Sequence, residues 1–252
     1  MEEQKHSFRK YIKTLWIVAV SGVLLLILFF WGVAAGMFGF MPTFEELENP
    51  KNMVASEIIT SDGQLLGKYY DEENRTLVEY DELGKHVVQA LVATEDERYY
   101  EHSGIDLRGL FRVVKGVITS NTRSGGGSTI SQQLAKLLFP RESNSGIKLV
   151  IRKFREWVIA VKLERSYTKE EIITMYLNKF EFIYGAFGID VAAQTYFNTT
   201  PDSLELHQAA MLVGMLKSPY LYNPTRFEER AKNRRNVVLG QMLKNRYINH
   251  EQ

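Results

Sequence analysis

A mainly α-helical domain carried on one transmembrane helix is the fold this sequence predicts, on three observations. An uncharged apolar run spans Leu15 to Phe40, one Asp-Gly hairpin signal follows it, and from about Asp81 onward apolar residues recur at helical spacing. A chain of 252 residues suits one anchor plus one domain large enough for a real core.

The first element is the apolar run, LWIVAVSGVLLLILFFWGVAAGMFGF. At 1.5 Å per residue it exceeds the roughly 20 residues needed to cross a bilayer core of about 30 Å. Lys5, Arg9, Lys10 and Lys13 precede it, and Glu45, Glu46 and Glu48 follow. The positive-inside bias therefore predicts a cytoplasmic tail over residues 1–14, a transmembrane helix over 15–40, and export of everything after Met41. A cleaved signal peptide has an apolar core of only about 7–15 residues, so the anchor is the better reading.

Residues 41–80 read as a linker and a small β pedestal. Val54–Thr60 and Gln64–Tyr70 flank Ser61-Asp62-Gly63, and Asp-Gly between β-rich runs signals a hairpin. Residues 81–252 read as helices over Val87–Tyr99, Leu107–Thr119, Thr129–Leu138, Ile147–Arg165, Lys169–Asn178, Ile189–Phe197, Ser203–Leu216 and Phe227–Tyr247. Thr129 with Gln132, and Thr168 with Glu171, fit capping boxes; Pro201-Asp202-Ser203 and Pro224-Thr225 punctuate later helix entries. This is an irregular helical bundle with no repeats and no alternating β/α pattern. Ser120–Gly127 (SNTRSGGG) interrupts it with a permissive glycine backbone, read either as a flap over a site or as an inert surface loop.

Charge narrows the function. Thirty-one Lys plus Arg against 30 Asp plus Glu give no bulk attraction for nucleic acid, so an anionic ligand must meet local clusters. The chain has no cysteine, which excludes disulfides, thiolate metal sites and Cys nucleophiles.

Three segments look chemical. Glu95 follows Val87, Val88, Leu91 and Val92, which places it at the edge of an apolar core. Desolvation there favours the neutral acid and suits proton transfer, although a solvated helix end with ordinary ion pairs fits the same residues. Asp96 points elsewhere and is placed to hold Arg98, Arg108 or a metal. Gly125–Lys136 is a glycine loop entering a helix, whose free N–H groups, with Ser128, Thr129, Gln133 and Lys136, favour an anion. It lacks the Gly-Lys-Ser/Thr of a Walker loop. Arg152 and Glu156 share a helix face, either as a surface ion pair or as a phosphate-binding guanidinium beside a reacting carboxylate.

Together these segments resemble the bacterial peptidoglycan glycosyltransferases, glycosyltransferase family 51, found as monofunctional enzymes or as the first domain of class A penicillin-binding proteins. Five ordered motifs carry the resemblance from about Val87 to Arg235. The first is Glu95-Asp96 through Tyr99 and His102 to Gly104, with Tyr99 in place of the usual Phe. The second is Gly127-Ser128-Thr129-Ile130-Ser131-Gln132-Gln133-Leu134-Ala135-Lys136, followed by Leu137 where Asn is common. The third runs from Arg152-Lys153 through Glu156 to Leu163-Glu164. The fourth is Tyr176-Leu177-Asn178, then Gly188-Ile189, Ala192-Ala193 and Tyr196-Phe197. The fifth is Ala209–Leu216, Ser218-Pro219 and Tyr222-Asn223-Pro224.

The resemblance implies a lysozyme-like glycosyltransferase domain with a membrane-proximal lobe, polymerising lipid II into β-1,4-linked glycan with release of undecaprenyl diphosphate. It implies Glu95 as general base and Lys136 and Arg152 on the departing diphosphate, with Gln133 helping to place it and Ser128 and Thr129 as further substrate contacts. Glu156 would orient that cluster or assist the leaving group, and Asp96 would support Glu95. No cofactor is obligatory; a divalent cation such as Mg is an option, with Asp96 or Glu156 its candidate ligands. The implied partners are lipid II, the growing glycan, the membrane and other cell-wall synthesis proteins, with no nucleic acid, at the outer face of the cytoplasmic membrane. Leu110, Phe111, Val113, Val114, Val117 and Ile118 would dip into lipid, or form an ordinary core helix. A lysozyme-like lytic hydrolase, using Glu95 as acid, is the alternative, followed by a non-catalytic scaffold. Ser145-Gly146-Ile147-Lys148 matches Ser-x-x-Lys without the partner motifs of a penicillin-binding site and reads as coincidence. A chain ending here would be monofunctional; one continuing past Tyr247 would have room for a transpeptidase domain.

Overall fold

The computed structural model describes residues 2–39, 41–43, 46, 56–62, 65–69, 75–119, 126–139 and 146–252. It is mainly helical. Helix α1 spans Glu2–Ala34, and within it Arg9–Ala34 is long and apolar enough to cross a membrane. The helix thus begins well before Leu15, since the basic segment continues the same backbone. It ends before Phe40 because Gly36 and Gly39 take positive φ, 79° and 128°, which breaks the helical run. The predicted hairpin is present as β1 (Ser56–Ile59) antiparallel to β2 (Leu65–Tyr69), while the tip at Gly63 and Gln64 and the outer ends of the predicted strands lie outside the described residues.

The domain proper consists of α2 (Lys85–Glu95), α3 (Leu107–Ile118), α4 (Ile130–Leu138), α5 (Ile147–Ser166), α6 (Lys169–Lys179), α7 (Ile189–Phe197), α8 (Leu206–Met215) and α9 (Glu228–Lys244). Among the described residues, one apolar core joins all of these except α3. Val87, Leu91 and Val92 of α2 meet Ile130 and Leu134 of α4, Ile172, Ile173 and Leu177 of α6, Leu212 and Val213 of α8, and Val238 and Met242 of α9, all buried. Helix α4 packs between α5 and α6, and α2 packs between α8 and α9. The two chemical segments, the end of α2 and the start of α4, therefore rise from the middle of the core.

Where boundaries differ from the sequence reading, side chains explain it. Helix α2 stops at Glu95 because Asp96 leaves the helical region (φ −157°), and Tyr99–Glu101 forms a separate 3-10 turn. Helix α8 begins at Leu206, not Ser203, because Glu205 and Gln208 form a capping box there. The Thr168/Glu171 box is complete. At α4 only half of the predicted box forms: Thr129 accepts from Gln132 N, but the Gln132 side chain donates instead to Gly104 O at 3.3 Å.

Helix α1 is not an isolated tether. Phe29 and Phe30 each set a ring edge-on to Phe154 of α5, with centroids 5.1 Å apart. Val33 is buried, and Lys162 Nζ donates to Pro42 O at 2.9 Å. Edge-to-face pairs contribute about 0.5–1.5 kcal/mol each beyond simple burial. Helix α3 contrasts with this. Its Leu107 and Phe111 are 71% and 72% exposed, and ion pairs anchor it: Arg98–Asp106 at 2.5 Å, Arg108–Glu101 at 3.3 Å and Arg112–Glu97 at 3.0 Å.

Candidate active site

The start of α4 is fixed from three sides. Asp96, buried, accepts from Ile130 N at 3.1 Å and lies 3.0 Å from His102 Nε2. A carboxylate there satisfies an orphan N–H of the helix start and complements its dipole. Thr129 Oγ1 donates to Gly104 O at 2.7 Å while capping Gln132 N. Ser131 Oγ bonds Glu164 of α5 at 2.5 Å, and Lys169 Nζ meets the same carboxylate at 2.8 Å. Gly104 has a positive φ of 91°, and a Cβ there would come within 2.9 Å of the Ala160 backbone. That close approach explains the glycine. Tyr99, where the family usually has Phe, is fully buried, and its hydroxyl donates to Lys169 O at 2.8 Å.

This bolted helix presents Gln133 and Lys136, one turn apart, outward. Gln133 Nε2 donates to Glu95 Oε2 at 3.0 Å, and Gln133 Oε1 accepts from Tyr176 OH at 3.0 Å. Burial, with Glu95 nearby, pushes the Tyr176 hydroxyl well above its ordinary range, so it remains a donor and fixes which end of the amide faces Glu95. The other oxygen of Glu95 lies 3.4 Å from Arg234 Nη2, whose Nε donates to Gly214 O at 3.3 Å. The Glu95 side chain is 16% exposed, half-buried as the sequence predicts.

Two clefts meet at Glu95. One, of about 680 Å³, runs beside α5 and has an apolar wall of Leu149, Val150, Phe154 and Trp157 facing Lys136, Arg152 and Lys153. The other, of about 560 Å³, runs beside α9 and is lined by charged residues including Glu97, Arg98, Arg112 and Lys244. Glu95, Ser128, Gln133 and Lys217 line both. In the α5 cleft Lys153 Nζ bridges Ser128 Oγ at 3.1 Å and Glu156 Oε2 at 2.8 Å, and Arg152 Nε lies 3.8 Å from Glu156 Oε1. In the α9 cleft Glu97 receives Arg98, Arg112 and Lys244 at 2.8–3.0 Å. The Lys244 hydrogen bond, reinforced by the two arginines, holds its carboxyl below the ordinary value of 4.5.

All eight side chains singled out from the sequence line one cleft or the other, but their roles divide. Glu95, Gln133, Ser128, Lys136 and Arg152 face open space, while Glu156 is buried behind Arg152 and Lys153. Asp96 and Thr129 are buried and committed to the start of α4, and Asp96 holds His102 instead of Arg98 or Arg108. Gln133 is turned toward Glu95. Asp96 is engaged by His102 and Ile130 N, Glu156 faces two cations, and among the described residues no three acidic or histidine groups converge. Four contributors were missed. Lys153 was findable from its spacing of three to Glu156, and Tyr176 and Lys217 stand within or beside quoted motifs. Arg234 lies 139 residues from Glu95, and nothing local distinguishes it from its neighbour Arg235. Residues 120–125 of the predicted glycine flap lie outside the described residues; Gly126 and Gly127 line the α9 cleft.

A family model described as Transglycosylase matches residues 62–243. Penicillin-binding protein 1A of Escherichia coli (strain K12) is 37% identical over 243 residues, 96% of this chain and 28% of that protein. Penicillin-binding protein 1A of Vibrio cholerae is 36% identical over 239 residues, 95% of this chain and 28% of that protein. Penicillin-binding protein 1F of Bacillus subtilis is 38% identical over 194 residues, 77% of this chain and 26% of that protein. The chain thus spans under a third of the length of these relatives. A crystal structure of penicillin-binding protein 1A from Haemophilus influenzae aligns with a TM-score of 0.42 at 25% identity, covering 80% of this chain and 20% of that one.

Proposed function

We propose, from the premise that the chain belongs to the transglycosylase family, that it is a peptidoglycan glycosyltransferase polymerising lipid II into β-1,4-linked strands. The observation that carries this reading is the placement of Glu95 at the junction of two clefts, between Gln133 and Arg234. Both a polymerase and a glycan hydrolase hold sugars on either side of such a carboxyl, but only a polymerase has a diphosphate for the cations of the α5 cleft to meet.

Glu95 takes the proton from the acceptor's sugar 4-hydroxyl as that oxygen attacks the anomeric carbon of the growing chain. The bond from that carbon to the diphosphate oxygen breaks with inversion, and the electron pair leaves on undecaprenyl diphosphate. The α5 cleft suits this leaving group: Lys136, Arg152 and Lys153 meet the phosphate charge, and the wall of Leu149, Val150, Phe154 and Trp157 meets the first isoprenoid units. Glu156 keeps Arg152 and Lys153 aligned. Ser128, bonded to Lys153, ties this cluster to the start of α4.

Helix α1 places the domain at the outer face of the cytoplasmic membrane, with the amino terminus inside. Its docking on α5 through Phe29, Phe30 and Phe154 sets the diphosphate cleft beside the bilayer. Leu107 and Phe111, exposed on α3, enter the lipid surface. Other cell-wall synthesis proteins are its expected partners.

The test is incubation of the purified protein with fluorescent lipid II, resolving products by length. A ladder of glycan strands with stoichiometric undecaprenyl diphosphate is expected. Absence of polymer, together with cleavage of pre-made glycan, would replace this reading by the lysozyme-like hydrolase.

A further inference from the structure

A third concavity, of about 480 Å³, opens off the α9 cleft and shares Lys217, Arg234 and Val237 with it. Its polar lining is Lys217, Arg230, Asn233 and Arg234, and no acidic side chain lines it. On α9, Lys232 meets Glu228 at 2.7 Å and Lys244 meets Glu97 at 3.0 Å, while Arg234, which lines the pocket, meets Glu95 at 3.4 Å. Among the described residues no carboxylate pairs with Arg230 or Lys217. Arg230 is nevertheless held, its guanidinium lying 5.0 Å over the Phe227 ring. A held guanidinium, an ammonium, an amide and no competing acid make a receptor for a carboxylate.

Because the pocket shares Lys217, Arg234 and Val237 with the α9 cleft, a group carried by the occupant of that cleft is within reach of it. A lipid-linked disaccharide-pentapeptide carries two anionic chemistries: the diphosphate at its lipid end and the carboxylates of its peptide. Lys136, Arg152 and Lys153, with the apolar wall suited to a lipid, lie across Glu95 in the α5 cleft. The space beside α9 is left for the sugar and what the sugar carries. We infer that the Lys217–Arg230–Asn233–Arg234 pocket binds a carboxylate of the substrate's stem peptide, an inference that rests on the transferase reading. Arg234 faces both this pocket and Glu95. A carboxylate bound there draws the guanidinium from Glu95 and leaves that oxygen open to the sugar hydroxyl, so the peptide both anchors the substrate and readies the base.

The experiment compares polymerisation of lipid II carrying its free peptide carboxylates with lipid II in which every peptide carboxylate is amidated. Wild-type protein and Arg230→Gln are assayed side by side. For the wild type, amidation is expected to raise KM about tenfold to a hundredfold, in line with a charge-assisted hydrogen bond, and to lower kcat. In Arg230→Gln the two substrates should become equivalent in KM. The inference is overturned if amidation leaves the wild-type KM unchanged. It is also overturned if Arg230→Gln retains the preference, or raises KM equally for both substrates, as a diphosphate site or a structural role would. Absence of polymer from the wild type with either substrate defeats the transferase reading itself, a result distinct from polymer made without peptide discrimination. Arg230 is exposed, so the variant should fold; a thermal melt checks this, and Lys217→Gln, paired with no carboxylate, gives a second arm.

Discussion

The clefts beside α5 and α9 share a wall and differ in almost everything else. The shared wall, Glu95, Ser128, Gln133 and Lys217, belongs to elements rooted in the core. The α5 side adds one long helix with an apolar face, three cations and one carboxylate to align them. The α9 side adds ion pairs that bridge separate elements, with Glu97 joining the end of α2 to α3 and α9. One side gathers positive charge beside an apolar wall. The other is clasped by salt links. Glu95 thus stands between two flanks built from different physics, one cationic beside an apolar wall and the other bound by ion pairs.

Glu95 itself aside, the largest expected effects lie in the α5 cleft. Lys136→Met or Arg152→Met removes a charge that matters most as the diphosphate departs, and kcat should fall about 10²-fold with little change in folding. A loss confined to KM would show that these cations bind ground state and transition state equally. The shared wall comes next. Asp96→Ala leaves Ile130 N and His102 without their buried acceptor and should lower stability by about 1–3 kcal/mol, read as a fall in melting temperature. If stability holds and only activity drops, Asp96 touches substrate directly. Tyr176→Phe frees Gln133 to turn from Glu95, and kcat should fall about fivefold, one ordinary hydrogen bond.

The smallest effect belongs to the α9 cleft. Glu97 titrates below its ordinary value when folded, so the stability it contributes is complete above about pH 4.5 and is lost as pH falls through the depressed folded value. Melting curves of the wild type and Glu97→Gln should therefore converge on acidification below about pH 4.5. A gap that stays constant with pH would mean that the clasp contributes nothing.

Much of this arrangement was legible in the residues. Periodicity located the helices because each buries one face against a common core, and Glu95 was marked by the apolar turns before it. Lost from view was whatever depended on chain crossings. Asp96 reads in the sequence as a partner for Arg98, Arg108 or a metal, but the fold places Ile130 N and His102 against it. Thr129 reads as a ligand contact, but the approach of Gly104 consumes its hydroxyl. Arg234 gains meaning only because α9 packs on α2, a contact that no local pattern encodes. The end of α1 was misplaced because apolarity continues through Gly36 and Gly39 while helical geometry does not.

The most direct test of the central claim is a paired measurement on Glu95→Gln: binding of fluorescent lipid II, and its polymerisation resolved by strand length. Glutamine keeps the shape and one acceptor but cannot take a proton. Binding within about twofold of wild type, with polymerisation slower by about 10²–10⁴-fold, is the predicted result. Ladders formed at nearly the wild-type rate would contradict it, removing the base from the junction of the clefts and making Glu156 the next residue to test.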